Sequence, residues 1–242
     1  MDTKIFDRIE KKYLLTKTQE KAILKELKKH TQKDKYHKSG VFNIYFDTDN
    51  YDLIIQSIDH PVFKEKLRAR SYEGYDKVFF EIKTKLVGED NNVGYKRRVL
   101  VTHKDYDELV AGRATMLELA SRKIEQSNDL QIAKEIDYFI QHFNLKPKIL
   151  IYYNRESYKN DNDGLRITFD KNLKYRHKNL KFVKKSTDKT LLKSDKNIIM
   201  EVKAHGIMPL WLVNLLSSEK IYPERFSKVG KVYEQLKKEE NV

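Results

Sequence analysis

Apolar and polar residues alternate along much of this chain, which is the pattern of β-strands that bury one face. Eight segments show the alternation, at residues 5–15, 41–48, 64–72, 77–86, 93–101, 147–158, 164–171 and 196–205. Apolar residues at helical spacing occur at 18–30, 104–112, 129–144, 209–217 and 223–238. Segment 172–195 is rich in Lys and has weak periodicity, so it is predicted to be a solvated loop. The pattern therefore predicts an α+β fold.

The polar faces of these strands carry charges of both signs. Residues that share a polar face, strand by strand, are Arg8, Glu10 and Lys12; Lys66, Arg68, Arg70 and Tyr72; Glu81, Lys83 and Lys85; Lys96 and Arg98; Arg166, Thr168 and Asp170; and Glu201, Lys203 and His205. The sixth strand is less regular, because Arg155 has the same parity as Ile149, Ile151 and Tyr153.

Two architectures account for such strands. In an open sheet the charged faces contact solvent and serve only solubility. In a closed barrel covered by helices, the charges line the lumen. The helices have apolar faces that need cover, eight antiparallel strands suffice to close a barrel, and Arg and Lys cluster around isolated Glu residues. These observations favour an eight-stranded antiparallel β-barrel with helices packed on the outside. No segment resembles a linker, so residues 1–242 are predicted to form a single domain.

The composition of the chain indicates which classes of partner and which cellular compartment to expect. The 242 residues carry a formal net charge of +13, which favours an anionic partner such as nucleic acid, anionic lipid or a phosphate chain, although lysine-rich surface alone also produces such an excess. Cysteine is absent from the sequence, which excludes disulfides and thiolate chemistry. The N-terminal residues lack the apolar core of a signal peptide, and no run of about eighteen apolar residues occurs. A soluble, cytoplasmic protein without a transmembrane segment is expected.

A lumen lined by many cations is strongly self-repelling unless an anion occupies it. A phosphate chain is a suitable anion, because Arg forms bidentate hydrogen bonds with phosphoryl oxygens and Lys neutralises their charge as a point charge. Four scattered carboxylates, those of Glu10, Glu81, Asp170 and Glu201, suit Mg²⁺ or Mn²⁺ beside a phosphate. Phosphoryl transfer requires mainly positioning and charge neutralisation. Neither a P-loop nor a Rossmann glycine motif is present, so a nucleotide would bind in another way.

Nine motifs carry a family resemblance, and they occur in order along almost the whole chain. They are RIEKKYLL, NIYFDT, EKLRARSYE, VFFEIKTK, YKRRV, YNRESY, LRITFD, IIMEVK and RFSKVGKVY. Together they resemble the catalytic domain of the vacuolar transporter chaperone (VTC) polyphosphate polymerases, a branch of the triphosphate tunnel metalloenzymes. The resemblance implies a tunnel that binds ATP and a growing polyphosphate chain, requires Mn²⁺ or Mg²⁺, and transfers the γ-phosphoryl group.

The resemblance also implies roles for particular residues. Those expected to contact phosphates are Lys12, Arg68, Arg70, Lys83, Arg155 and Arg166, with Arg225 and Lys228 contributing from a C-terminal helix near the tunnel end. Glu201 is expected to hold the metal, and Glu10, Glu81 and Asp170 are weaker candidates. Strand parity adds Lys96, Arg98 and Lys203 as substrate-binding residues.

Two kinds of departure from the family pattern occur. Arg225 and Val229 stand where the family usually has Lys and Tyr, which concerns the contacts at the tunnel end. Arg8 stands where hydrolases and cyclases of the superfamily carry the first Glu of E-x-E-x-K, so one metal-binding carboxylate is missing, which favours the polymerase branch. A polymerase using ATP and pyrophosphate or polyphosphate is therefore the first hypothesis, with a membrane protein as a candidate partner. Alternatives are a tripolyphosphate or nucleoside triphosphate hydrolase, and a non-catalytic subunit that binds polyphosphate or inositol phosphate. Nucleic-acid binding is disfavoured, because no nucleic-acid-binding motif is present.

Overall fold

The computed structural model describes residues 8–59, 62–87, 92–122 and 127–240. The described residues group into two compact units. Unit 1 takes its residues from Met1–Gly40, Tyr153–Lys174 and Thr190–Phe226, and unit 2 takes its residues from Val41–Tyr152, Tyr175–Lys189 and Ser227–Val242. Each unit is assembled from three separated segments. The single domain 1–242 stays a prediction.

The fold is α+β with an antiparallel sheet. Its strands are β1 (Arg8–Leu15), β2 (Gln32–Asp47), β3 (Phe63–Tyr72), β4 (Val78–Val87), β5 (Asn92–Val101), β6 (Lys146–Asn160), β7 (Leu165–Arg176), β8 (Lys189–Thr190) and β9 (Ile198–His205). The helices are α1 (Lys17–His30), α2 (Asp52–Ile58), α3 (His103–Val110), α4 (Met116–Ser121), α5 (Ser127–His142), α6 (Leu210–Ser218) and α7 (Lys228–Glu240). The strand order is β1-β9-β7-β6-β2-β3-β4-β5, and β8 pairs with β7.

The α+β class and the eight main strands are confirmed, apart from residues 5–7, which lie outside the described residues. The closed barrel is not confirmed. Within the described ranges the hydrogen-bonded path ends at β1 and at β5, and no pairing joins these two strands. None of the described helices has the length and apolar composition needed to cross a bilayer.

Several boundaries differ from the predicted ones. β2 begins nine residues earlier than predicted, at Gln32 instead of 41, and α2 and α4 were not predicted. The end of β7 and the whole of β8 lie within 172–195, which was predicted to be a loop. The C-terminal helix begins at Lys228, so the predicted start at Pro223 is wrong.

Unit 1 packs α1 and α6 against one face of its strands. Thr16 begins α1 with a capping box, in which the backbone N–H of Gln19 donates to the Thr16 hydroxyl at 3.2 Å and the Gln19 side chain accepts from the Thr16 N–H at 3.1 Å. Apolar residues of both helices and of the strands are buried together: Ile23 and Leu27 of α1, Leu212 and Leu216 of α6, Ile167 and Phe169 of β7, and Met200 and Val202 of β9. The opposite parity of these strands carries the charged residues.

Unit 2 has its own core. Leu67 and Ala69 of β3, Phe80 and Ile82 of β4, and Val99 and Val101 of β5 pack with Met116 of α4 and with Ile136 and Phe139 of α5. Because side chains alternate across a strand, this packing directs the intervening charged residues of β3, β4 and β5 to the other face.

Candidate functional site

Three neighbouring strands of unit 2 present one strongly positive face. Its members are Lys64, Lys66, Arg68 and Arg70 of β3, Glu81, Lys83 and Lys85 of β4, and Lys96 and Arg98 of β5. Eight cations against one carboxylate give a formal charge of 8 − 1 = +7. We call this surface the cationic face.

The register of the cationic face places like charges side by side. Lys83 lies directly opposite both Lys66 and Lys96. Residues directly opposite in an antiparallel pair have Cβ atoms about 5 Å apart, and like charges there are destabilising. A bound polyanion would relieve that repulsion, so this row is suited to holding phosphate.

Glu81 is the single carboxylate of the cationic face. Its side chain is 2% exposed, Arg68 Nε donates to Glu81 Oε2 at 3.0 Å and Arg68 Nη2 also contacts that oxygen, while Lys96 Nζ lies 3.6 Å from Oε1. Burial raises the pKa of Glu81, but Arg68, Arg70 and Lys83 outweigh burial and lower this pKa to about 2. Glu81 is therefore ionised and engaged by Arg68, which makes it a counter-charge of the cationic face.

Other members of this face are also held in position. Arg70 Nε donates to Asn43 Oδ1 at 2.9 Å, and the guanidinium of Arg98 lies 4.9 Å from the ring centre of Phe79. Burial lowers the pKa of Lys96, Glu81 opposes this effect, and the neighbouring arginines lower the pKa further. The net effect is a lowered pKa of Lys96, although Glu81 lies 3.6 Å from its ammonium group.

Arg97 shows that the two sides of β5 are distinct. Its parity is opposite to that of Lys96 and Arg98, and its Nη1 lies 2.6 Å from Oε2 of Glu135 on α5. Arg97 is thus part of the helix-covered side of β5.

A second charged surface lies in unit 1, and we call it the mixed face. Its members are Glu10 and Lys12 of β1, Glu201 and Lys203 of β9, Arg166, Thr168 and Asp170 of β7, and Arg155 of β6. In the register, Glu10 and Arg166 flank Lys203, while Lys12 and Thr168 flank Glu201. Four cations and three carboxylates make this surface nearly neutral, unlike the cationic face.

Two carboxylates of the mixed face share one ammonium group. Lys203 Nζ lies 2.9 Å from Glu201 Oε1 and 3.3 Å from Glu10 Oε2. Lys12 Nζ lies 3.9 Å from Glu10 Oε1 and donates to the backbone carbonyl of Phe226 at 3.3 Å. Glu10 and Glu201 are therefore brought together around a cation.

The arginines of the mixed face have acidic partners of their own. Arg155 forms a bidentate pair with the buried Asp170, through Nε at 2.6 Å and Nη2 at 2.8 Å. Burial alone would lower the pKa of Arg155, but Tyr153 and the carboxylates of Asp170 and Glu201 raise this pKa well above the usual value. Arg166 Nη2 lies 2.9 Å from Asp34, and Arg166 Nε donates to Ser157 Oγ at 3.3 Å.

Thr168 adds a hydroxyl group that sequence reasoning did not single out. The residue is 5% exposed, its Oγ1 atom has no hydrogen-bond partner among the described residues, and it lies directly opposite Glu201 in the register. An unpaired hydroxyl that is buried costs free energy, so this oxygen is suited to an additional ligand.

The donor set of the mixed face fits a divalent cation that shares its coordination with phosphate. Among the described residues no group of three His, Cys, Asp or Glu side chains is arranged to hold a metal. Mg²⁺ and Mn²⁺, however, commonly take one or two carboxylates and complete their shell with phosphate oxygens and water. Glu10, Glu201 and the unpaired Thr168 hydroxyl supply three hard oxygen donors of that kind. Asp170 and Glu81, the other two candidates, are paired with arginine instead.

The two C-terminal candidates differ in their surroundings. Lys228 is the first residue of α7, whereas Arg225 is exposed in the loop before this helix. The backbone N–H of the adjacent Glu224 donates to the carbonyl of Lys12 at 2.8 Å. This hydrogen bond connects the loop to β1.

Sequence reasoning also missed residues that position the candidates. Asn43 accepts from Arg70, and Asp34 pairs with Arg166. Asn43 lies within the motif NIYFDT, where its polar side chain among apolar residues was an available signal. Asp34 lies in a polar stretch without alternation, and nothing in the sequence connects it to β7.

The fold and the two faces define an α+β protein whose antiparallel sheet presents charged surfaces suited to a phosphate-rich anion. The chain belongs to the VTC domain family, whose match covers residues 7–237. It is 24% identical over 146 residues to the vacuolar transporter chaperone complex subunit 4 of Schizosaccharomyces pombe, a match covering 56% of this chain and 20% of that protein's length.

The chain is also similar to solved structures at low identity. A putative adenylyl cyclase from Hippeastrum, described as having a dominant triphosphatase activity, has a TM-score of 0.50 and 14% identity, over 92% of this chain and 93% of that one. The PH1819 protein of Pyrococcus horikoshii has a TM-score of 0.48 and 14% identity, over 94% of this chain and 99% of that one.

Proposed function

We propose that this chain synthesises inorganic polyphosphate from ATP, transferring the γ-phosphoryl group to the end of a phosphate chain. The observation that carries the proposal is the cationic face, where eight cations surround one buried carboxylate in a member of the VTC domain family. Arg and Lys side chains on three adjacent strands can hydrogen-bond and neutralise a phosphate chain, which carries negative charge along its whole length.

In this proposal the cationic face binds the phosphates. Arg68 and Arg70 lie two residues apart on β3, so they are separated by about 6.8 Å along the strand. Together with Lys83 they can bind successive phosphoryl groups, and Lys96 and Arg98 extend the surface onto β5.

The mixed face would hold the divalent cation, Mn²⁺ or Mg²⁺, through Glu201 and Glu10. When bound, such an ion neutralises charge that accumulates on the transferred phosphoryl group. Lys12, Arg155 and Arg166 neutralise further phosphate charge and orient the reacting groups.

The reaction needs no side-chain nucleophile. A terminal oxygen of the acceptor phosphate, already ionised at neutral pH, forms the new P–O bond with the γ-phosphorus, and the bond to the β-phosphate oxygen breaks to release ADP. No proton has to be removed from the acceptor, so a general base is not required. A closed tunnel enclosing the chain is part of this proposal, as are the cytoplasmic location and a membrane-protein partner.

The product of ATP turnover tests the proposal. Purified protein is incubated with γ-³²P-labelled ATP and Mn²⁺, with and without pyrophosphate as primer, and the products are separated by size on a gel. Long labelled polymer is the expected result. Labelled orthophosphate alone would identify a hydrolase, and binding of polyphosphate without turnover would identify a binding subunit.

A matched pair of variants connects the activity to the mixed face. Glu201→Ala is expected to abolish metal-dependent turnover with the fold intact, because a carboxylate ligand is lost. Glu26→Gln on α1, where Glu26 pairs with Lys29 at the surface, is the control and should leave turnover unchanged. Undiminished turnover in Glu201→Ala would remove Glu201 from the site.

A further inference from the structure

The environment of Lys203 does not match a residue that only binds phosphate. Its ammonium group lies between two carboxylates, 2.9 Å from Glu201 and 3.3 Å from Glu10. An ammonium at hydrogen-bond distance from two carboxylates occupies the position where a cation is electrostatically most favoured. That position is also the one a divalent ion held by the same carboxylates would take.

A third oxygen belongs to the same place. Thr168 lies opposite Glu201 and has the same parity, so its side chain is on the mixed face beside the Glu201 carboxylate. Its hydroxyl is buried and has no partner in the part of the chain that the structure describes, although an ammonium donor lies on the neighbouring strand. The Thr168 hydroxyl is therefore available as a third oxygen ligand, in addition to the carboxylates of Glu10 and Glu201.

We propose that Lys203 is a displaceable counter-ion of the divalent-cation site, and that the ion which replaces its ammonium group is bound by Glu10, Glu201 and the Thr168 hydroxyl. The proposal rests on the metal-dependent function proposed above. In this proposal Lys203 weakens metal binding, because its ammonium group competes with the divalent ion for Glu10 and Glu201.

Exposure makes the exchange feasible. The Lys203 side chain is 37% exposed, so its ammonium group can move into water without crossing the core. Glu201 is only 14% exposed and is held by β9 between Lys12 and Thr168. The Glu201 carboxylate thus stays in place while the Lys203 side chain moves away. The incoming divalent ion then replaces the positive charge of the ammonium group beside Glu10 and Glu201.

Binding of Mn²⁺ alone tests this proposal. Free Mn²⁺ is measured by its electron paramagnetic resonance signal as protein is titrated, in a buffer without nucleotide or phosphate. Lys203→Met is expected to bind Mn²⁺ about tenfold more tightly than the natural chain, because a competing charge is removed. Thr168→Val should bind several-fold more weakly than the natural chain, and Thr168→Ser should restore the affinity.

Lys159→Met is the matched control, since Lys159 forms a surface pair with Asp161 in the same unit and should not alter the affinity. Melting temperatures without metal establish that each variant folds, and Lys203→Gln replaces Lys203→Met if the latter does not. Unchanged or weaker binding in the Lys203 variant, or no binding in either protein, overturns the proposal. Equal binding by Thr168→Val overturns the role of Thr168.

This test is separate from that of the proposed function, because no nucleotide is present. A chain that makes no polymer but shows tighter Mn²⁺ binding in Lys203→Met would refute the polymerase and support the exchange. If the chain makes polymer but Lys203→Met binds Mn²⁺ no more tightly, the polymerase is supported and the exchange is refuted.

Discussion

Arg68 combines a structural contact with a proposed functional one. It donates to Glu81, which is almost completely buried, and it is also expected to contact phosphate. Removing Arg68 alone would leave a buried carboxylate without its main partner, which typically costs roughly 3–5 kcal/mol. A loss of activity in Arg68→Ala would therefore not separate folding from binding.

The double variant Arg68→Met, Glu81→Leu separates the two effects. Replacing a buried ion pair by apolar residues is often neutral for stability, and the formal charge of the cationic face stays at +7 because one charge of each sign is removed. We expect the free energy of unfolding to change little. The affinity for tripolyphosphate should fall roughly tenfold or more, because a charge-assisted hydrogen bond is lost.

Calorimetric titration with tripolyphosphate measures the affinity, and chemical denaturation measures the stability. Arg97→Lys is the control on the helix-covered side of β5, and it should bind as the natural chain does. Unchanged affinity in the double variant would show that Arg68 serves only Glu81.

At the scale of elements, the turn between β6 and β7 lies close to the end of β9. Gly164 ends this turn with φ +55°, and a Cβ atom added there would lie 2.8 Å from Cγ and 3.0 Å from Cβ of His205 on β9. Arg166 and Thr168 follow immediately on β7, opposite Lys203 and Glu201. A glycine at this position thus allows β7 to approach β9 closely.

Gly164→Ala is expected to lower the free energy of unfolding by roughly 2 kcal/mol, from the left-handed backbone together with the contact to His205. Gly112→Ala is the control, because Gly112 has φ +67° but nothing within 4 Å of the added atom, and it should cost only about 1 kcal/mol. Adding His205→Ala to Gly164→Ala should recover part of the difference, because the contact with the imidazole ring is removed while the contact with Cβ of residue 205 stays. Equal costs at both glycines, measured by chemical denaturation, would refute the steric argument.

Elements that were predicted from the sequence have a regular pattern of buried residues. Elements that were missed depend on contacts with residues elsewhere in the chain. Strands such as β4 alternate so regularly that burial of one face determines them. The first half of β2 is polar on both faces, and pairing with other strands makes it a strand. α2 has only seven residues, and Asp47 accepts from the backbone N–H groups of Leu53 and Ile54 at its start. Such a cap, six residues away, leaves little local signal.

At the scale of the whole molecule, the net charge of +13 is distributed unevenly. The cationic face alone has a formal charge of +7, whereas the charges of the mixed face nearly balance. Strand parity grouped the candidate residues of β1, β3, β4, β5, β7 and β9 on these faces, because the period of two holds along those strands. Arg155 of β6 is the exception, because its parity is that of the buried Ile149, Ile151 and Tyr153. Parity could not reveal the partners, such as Glu81 for Arg68 or Glu10 for Lys203, because these depend on the register between paired strands, which parity does not specify.

The central claim is that the cationic face of unit 2 binds a phosphate chain. A crystal structure with tripolyphosphate tests it most directly. We predict phosphate oxygens at about 2.7–3.2 Å from the side-chain nitrogens of Arg68, Arg70 and Lys83. Tripolyphosphate bound instead on the side of Arg97 and Glu135, with the cationic face in contact only with solvent, would contradict the account.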